Sequence, residues 1–379
     1  MRLRLFHGIL LVACIALFSV AALYASTLFV ATPVNDLATG TYLSFEGGLY
    51  ENGTDTVPVD HDADGQLFTS ETIPLDVNGN PSASGKVVLA SMGMSNALIE
   101  FGTFETQAKK STAVNKTSLV LWNSSQSNQV ACYWFPAYGS PACSPSTENE
   151  YDRIESGLTK AKLSNMQVQV VWVDNANGRT HSQNRGCQPQ GTLCSSLCDP
   201  TLPGCVNSVN TTNALNEEEE FGEALRAWKT RFPNLKMAFF SSRVFGGYAA
   251  GGVDDVDPEP FAYETAFAIQ WLIEAQINQN RTGVIDPVAG DLSYPAAPWI
   301  AWGPYFWADG PNPRSDGLVW CFGQTSPPCN GEFDFSSAGL HLNTTGAAKT
   351  ADLMMNFFST SPYTAPWFNA TPAAATAER

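Results

Sequence analysis

The feature that most constrains the fold is a repeated alternation of short apolar runs with longer, mixed stretches. The runs fall at Lys86 to Ala90, Ser118 to Trp122, Gln167 to Val173, Lys236 to Phe240 and Trp299 to Trp302. They are rich in β-branched and aromatic residues and lack a polar face, which is the pattern of strands covered on both sides. The clearest helix runs from Glu217 to about Phe232, where Phe221, Leu225, Trp228 and Phe232 recur at spacings of four, three and four. Glu217 to Glu220 read as its first turn and Lys229 and Arg231 as its last, both complementing the helix dipole, and Pro233 stops it. Two more helices are expected from Glu259 to Asn278 and from Thr345 to Phe358. Strand and helix in alternation imply an α/β fold: a three-layer sandwich around a five-stranded, mainly parallel sheet, within residues 85–362.

The flanks read differently. Residues 26–84 are rich in Gly, Asp, Asn, Thr and Pro and are expected to form an irregular N-terminal segment wrapping the domain. Within them, Asp60-His61-Asp62-Ala63-Asp64-Gly65, with Glu71 beyond, has the spacing of a calcium loop; a solvated acidic turn is the rival reading. The stretch from Asn175 to Asn213 is too long for a strand-to-helix connection and is read as a disulfide-rich insertion over residues 178–213. Residues 363–379, rich in Ala, Thr and Pro, read as a flexible tail.

Residues 1–25 read as an export signal, with Arg2 and Arg4 ahead of the apolar stretch Ile9 to Ala22 and small residues near Ala25. Apolar character continuing through Val30 gives an uncleaved signal anchor as the alternative, the one membrane contact expected. Eight cysteines follow, an even number that in an exported chain favours disulfides. Close spacing pairs Cys132 with Cys143 and Cys321 with Cys329, and Cys187, Cys194, Cys198 and Cys205 leave two bridges of open connectivity. A zinc knot there is the rival, but no paired Cys-x-x-Cys is present and His181 is the nearby imidazole. A secreted, periplasmic or cell-surface location follows. Seven sequons, at Asn52, Asn115, Asn123, Asn210, Asn280, Asn343 and Asn369, suit a glycoprotein. The formal charge of -16 repels phosphate backbones, so no nucleic-acid partner is expected.

Chemistry enters with Gly93-Met94-Ser95-Asn96, at the end of the first apolar run, and Gly339-Leu340-His341-Leu342-Asn343 ahead of the last helix. A serine on a strand-to-helix turn lies at the carboxyl edge of a parallel sheet, where open α/β folds bind ligands. A neutral imidazole beside it can take the hydroxyl proton during attack on a carbonyl. The bland readings are a helix N-cap for Ser95 and a capping residue for His341.

These blocks resemble the SGNH, or GDSL, hydrolase superfamily over roughly Lys86 to Phe358, and in particular a bacterial branch with a Gly-Met-Ser-Asn nucleophile block. The resemblance implies a flavodoxin-like sheet and an esterase in which Ser95 is the nucleophile and His341 the base. It further implies an oxyanion hole built from a backbone N–H around Ser127 and an Asn after the third strand, with Asn177 preferred over Asn175. It calls for no metal or cofactor. One departure stands out: Ala338 occupies the position of the Asp that normally precedes the His by three residues. Loss of such a carboxylate lowers turnover by about 10⁴ in a serine triad. Asp334, from the same loop, is the expected substitute, with a backbone carbonyl as the alternative. The implied substrates are O-acylated, chiefly O-acetylated, carbohydrates or other small esters. The aromatic stretch from Pro298 to Trp307 gives Trp302 and Trp307 as an expected wall for sugar stacking. The competing reading is a catalytically impaired surface binding or structural glycoprotein on the same fold.

Overall fold

The computed structural model describes residues 29–134, 150–176, 209–249 and 258–370. Residues 29–31 have no regular secondary structure and belong to an N-terminal unit, Met1–Ala31; all that follows concerns the unit Thr32–Arg379. The signal segment, the insertion up to residue 208, Cys143 as the expected partner of Cys132, and Asn177 lie outside the described residues.

The five expected strands form one sheet. They are β3 (Val87–Gly93), β4 (Leu119–Trp122), β5 (Val168–Asp174), β6 (Met237–Phe240) and β7 (Trp299–Trp302), after a one-turn helix α1 (Val34–Leu37) and a hairpin of two-residue strands, β1 (Thr41–Tyr42) and β2 (Phe45–Glu46). The order is β4-β3-β5-β6-β7 and every pairing is parallel. Every residue of β3 and β5 is buried, as the absence of a polar face requires.

Helices cover both faces. On one lie α3 (Ser95–Lys110) and α7 (Thr344–Thr360), packed together. Phe101 of α3 stacks on Trp172, and Phe358 of α7 meets Phe104 and Phe239. The other face carries α4 (Glu150–Lys160), α5 (Val209–Arg231) and α6 (Phe261–Thr282). Phe221 of α5 packs on Phe240 of β6, and Tyr151 of α4 on Phe232. Alternation along the strands sends Phe239 to the first face and Phe240 to the second. Fully burying each such ring is worth roughly 1.5–3 kcal/mol.

The two edges of the sheet are treated differently. At β7, the helix α2 (Val59–Glu71) lies along the outside, close enough that a Cβ on Gly65 would stand 2.4 Å from the Trp299 ring. Its His61 Nε2 pairs with Ile300 O at 2.7 Å, Gln276 Oε1 accepts from Ile300 N–H, and Tyr50 Oη accepts from Trp302 N–H. Side chains thus occupy the outward backbone groups of β7. At the β4 edge, no described residue does the same for Leu119 or Leu121.

Three expectations for the flanks change. Residues 26–84 are not wholly irregular, because α2 lies among them, and the calcium loop is replaced by that helix. Asp60 pairs with Arg281, Asp62 accepts from Tyr363 Oη, Asp64 accepts from Tyr294 Oη and Glu71 pairs with Lys236. Four separate partners use these oxygens, and helical spacing turns Asp62 away from its two neighbours, so they cannot surround an ion. The start of the tail is packed: α8 (Ala365–Phe368) buries Trp367 and Phe368 against Phe358. Finally, α5 begins at Val209, which puts Glu217 to Glu220 inside the helix, all buried, instead of in its first turn. Burial raises the carboxyls of Glu218, Glu219 and Glu220, that of Glu219 to about 7.

Among the described residues no helix is long and apolar enough to cross a membrane. The expected Cys321–Cys329 disulfide is present, with Cα atoms 5.5 Å apart, a bond that oxidising compartments sustain.

Candidate active site

The strand β3 ends at Gly93, whose ladder partner is Asp174, the last residue of β5. A Cβ on Gly93 would lie 2.1 Å from Asp174 O and 2.5 Å from Ala97 Cβ, so only glycine lets the chain turn this tightly from strand into helix. After Met94 in extended conformation, Ser95 opens α3. A side-chain oxygen at this position lies at the positive end of the helix dipole, which favours negative charge developing there.

His341 arrives from the other end of the chain. Its loop is pinned by Ser336 N–H donating to His341 O, by Asn343 N–H donating to Asp334 O, and by Gly339, whose φ of +71° and contact with Tyr248 O exclude a side chain. Asn96, next to the nucleophile candidate, clamps that loop: its Nδ2 donates to Leu340 O at 3.1 Å, and its Oδ1 accepts from Leu342 N–H at 3.3 Å. The result is a distance of 2.8 Å between His341 Nε2 and Ser95 Oγ. Desolvation, and then the positive charge of Arg243, hold the His341 pKa below its ordinary 6.5. The imidazole is therefore neutral at neutral pH, as a proton acceptor must be.

The loop after β4 is strapped to the end of β3. Ser91 Oγ donates to Asn123 Oδ1 and accepts from the N–H groups of Ser124 and Ser125, while Gln126 N–H donates to Gly93 O at 3.1 Å. Ser127 stands exposed at the tip of this loop, one residue beyond that bond. Beyond β5, Asn175 is buried; its Oδ1 accepts from Ala176 N–H and its Nδ2 has no acceptor among the described residues. A buried amide donor without an acceptor costs about 1–3 kcal/mol, and no described residue offsets that cost at Asn175.

Beneath the turn lies a buried cluster of charged residues. Arg243 Nη1 meets Asp174 Oδ1 at 2.7 Å with both side chains buried, and Glu100 of α3 is fully buried beside them. Desolvation first, then repulsion from Asp174, raise the Glu100 carboxyl well above its usual range, against the pull of Arg243. Neither Glu100 oxygen nor Asp174 Oδ2 has a donor among the described residues, so a proton retained on Glu100 and shared with Asp174 satisfies both. The members of this cluster come from three separate parts of the chain.

Three expected roles are corrected. Asp334 does not orient His341: its Oδ2 accepts from Cys321 N–H and from Lys349 Nζ, both at 2.7 Å, and no described residue accepts from His341 Nδ1. Lys349 on α7 outcompetes a neutral ring for the carboxylate. Trp302 and Trp307 form no exposed wall. Trp302 is 4% exposed and donates to Leu49 O from the N-terminal segment, and Trp307 is fully buried, donating to Glu259 Oε1 and packed on Tyr263. Ala338, where an orienting Asp was missing, is exposed.

Two sequons have no free amide hydrogen. Asn343 Nδ2 donates to Phe333 O and Phe335 O, and Asn115 Nδ2 donates to Ser118 Oγ and Trp367 O. A glycan replaces one of those hydrogens, so neither site suits one in the folded chain.

No protein-family model matches the chain, and no curated protein matches it. Among the described residues no group of three or more His, Cys, Asp or Glu side chains is placed to hold a metal ion.

Proposed function

We propose that the protein is an exported serine esterase of SGNH type that hydrolyses short acyl esters. The carrying observation is the 2.8 Å contact between Ser95 Oγ and His341 Nε2 at the carboxyl edge of a parallel sheet. In this reading Ser95 Oγ attacks the acyl carbonyl carbon as its proton passes to His341 Nε2, and the carbonyl π pair moves onto oxygen. The oxyanion is met by Ser95 N–H, which has no intrahelical acceptor at the start of α3, by a backbone N–H near Ser127 and by Asn175 Nδ2. Collapse breaks the bond to the alcohol, which leaves with the proton from His341. A water, deprotonated by the same imidazole, then releases the acid and restores Ser95.

Asn175 takes the place given to Asn177 because it is buried with its donor unspent. Asn175→Ala is expected to lower kcat about 10²–10³-fold with KM nearly unchanged, measured with p-nitrophenyl acetate. An unaltered kcat would assign the oxyanion to other donors.

O-acylated carbohydrate remains the substrate class that the sequence resemblance suggests; with Trp302 and Trp307 buried, aromatic stacking lends it no support. The signal segment and the Cys321–Cys329 bond support export. A second reading, a binding protein that has kept the fold and lost turnover, is favoured by the lack, among the described residues, of an acceptor at His341 Nδ1. Labelling with a fluorophosphonate separates the two. Covalent labelling of the folded, oxidised protein that disappears in Ser95→Ala supports the esterase, and absence of labelling supports the binding protein.

A further inference from the structure

We infer that the open β4 edge of the sheet is a docking surface for an extended acidic polypeptide, which adds to the sheet as a sixth strand. In a parallel ladder alternate residues face the partner strand. Since Val87 N–H bonds Ser118 O, residues Val120 and Trp122 face β3, and the backbone groups of Leu119 and Leu121 face outward. Among the described residues those outward groups have no partner, whereas the opposite edge is closed by His61, Gln276 and Tyr50.

Beside this edge runs a groove of about 680 Å³, lined chiefly by Ala108, Val114, Leu119, Leu121, Trp122 and Leu163. Its rim is basic. Lys86, Lys109 and Lys116 line it, Lys110 adjoins Lys109, and Lys160 and Lys162 flank the lining residue Ala161. Three of the nine lysines of a chain with net charge -16 therefore line one groove. Glu105, the one acidic lining residue, is already paired with Lys109.

The occupant follows from these three properties together. Unpaired amide and carbonyl groups at strand spacing are matched by another backbone, and the apolar floor takes alternate side chains of that strand. The lysine rim selects acidic flanking residues. A second copy of this chain is disfavoured, because pairing two β4 edges would bring the two lysine rims together. A polysaccharide would not fill an apolar floor, and a membrane would leave the backbone groups unsatisfied.

The test uses a peptide with fluorescein on its N-terminal amine, fluorescein-Glu-Val-Glu-Val-Glu-Val-Glu-amide, titrated with the disulfide-intact protein and read by fluorescence polarisation. Saturable binding is expected, weakened at least tenfold by Lys86→Glu/Lys109→Glu/Lys116→Glu and by proline in place of the central valine, which removes a donor. The lysine variant is expected to keep its thermal transition and its fluorophosphonate labelling, since none of the three residues touches Ser95 or His341. No saturable binding up to about 1 mM, or equal binding by the lysine variant, would overturn the inference and leave these lysines as guards against edge pairing. Binding of phosphatidylglycerol vesicles without binding of the peptide would overturn it in favour of a lipid surface.

Discussion

Replacing His341 with Ala is expected to lower kcat/KM for a short-chain acyl ester by on the order of 10³-fold, the usual scale for losing a general base. The companion expectation concerns pH. The neutral imidazole is the active form, and desolvation together with Arg243 holds its pKa below 6.5. Activity should therefore be flat through neutral pH and fall only on the acid side of the ordinary histidine range. Among the described residues His341 Nδ1 has no acceptor, and a ring held through Nε2 alone has no fixed tautomer, so absolute turnover should be low, about 10⁴ below that of a complete triad. A pH profile of kcat/KM on wild type and His341→Ala checks both. An apparent pKa above 6.5 would point to a carboxylate at Nδ1, and an unaffected His341→Ala would remove the imidazole from the chemistry.

The sheet was legible because its strands are buried on both faces, so five apolar runs stand out from their surroundings without any need for periodicity. The helix α2 was not, for a related reason. Its buried residues are His61, Gly65 and Thr69, small or polar groups at helical spacing, while Val59 and Leu67 are exposed. No apolar stripe marks such a helix, and its three aspartates imitate a metal loop. The environment of Trp302 and Trp307 was hidden as well, because Leu49 and Glu259, which cover their indole N–H groups, lie far away in sequence.

Ser95 and His341 were readable from their position at the ends of predicted elements, which sequence order alone supplies. The means of holding them together was not. Asn96 looks like an ordinary first-turn residue until its amide is seen to grip both sides of His341. Asp334 lies in the same loop as His341, yet Lys349, fifteen residues further on, takes its charge. Competition of this kind between partners on different elements is invisible to spacing.

The largest stability effect is expected beneath the site, from Arg243→Ala. Truncating one member of a buried ion pair leaves the other charge uncompensated and costs about 3–5 kcal/mol. Arg243 is 5% exposed and Asp174 0%, so water offers little compensation. Asp174 also lies opposite Gly93 in the ladder, which ties the loss to the turn that carries Ser95. The pH dependence distinguishes a charge effect from lost packing. In the variant, the guanidinium no longer opposes the desolvation and the Asp174 charge that raise the Glu100 carboxyl, so that carboxyl should hold its proton to a still higher pH, above the unfolded value. Such a group stabilises the fold below the unfolded pKa and loses that contribution as pH rises through the folded one, so the deficit should grow with pH. Urea denaturation from pH 4 to pH 8 measures this, with Arg243→Ala/Asp174→Asn as the internal control, expected to recover part of the loss and to flatten the pH dependence. A deficit that does not change with pH would assign the cost to the packing of the arginine stem, and the Glu100–Asp174–Arg243 cluster would then have no electrostatic part in holding the Ser95 turn.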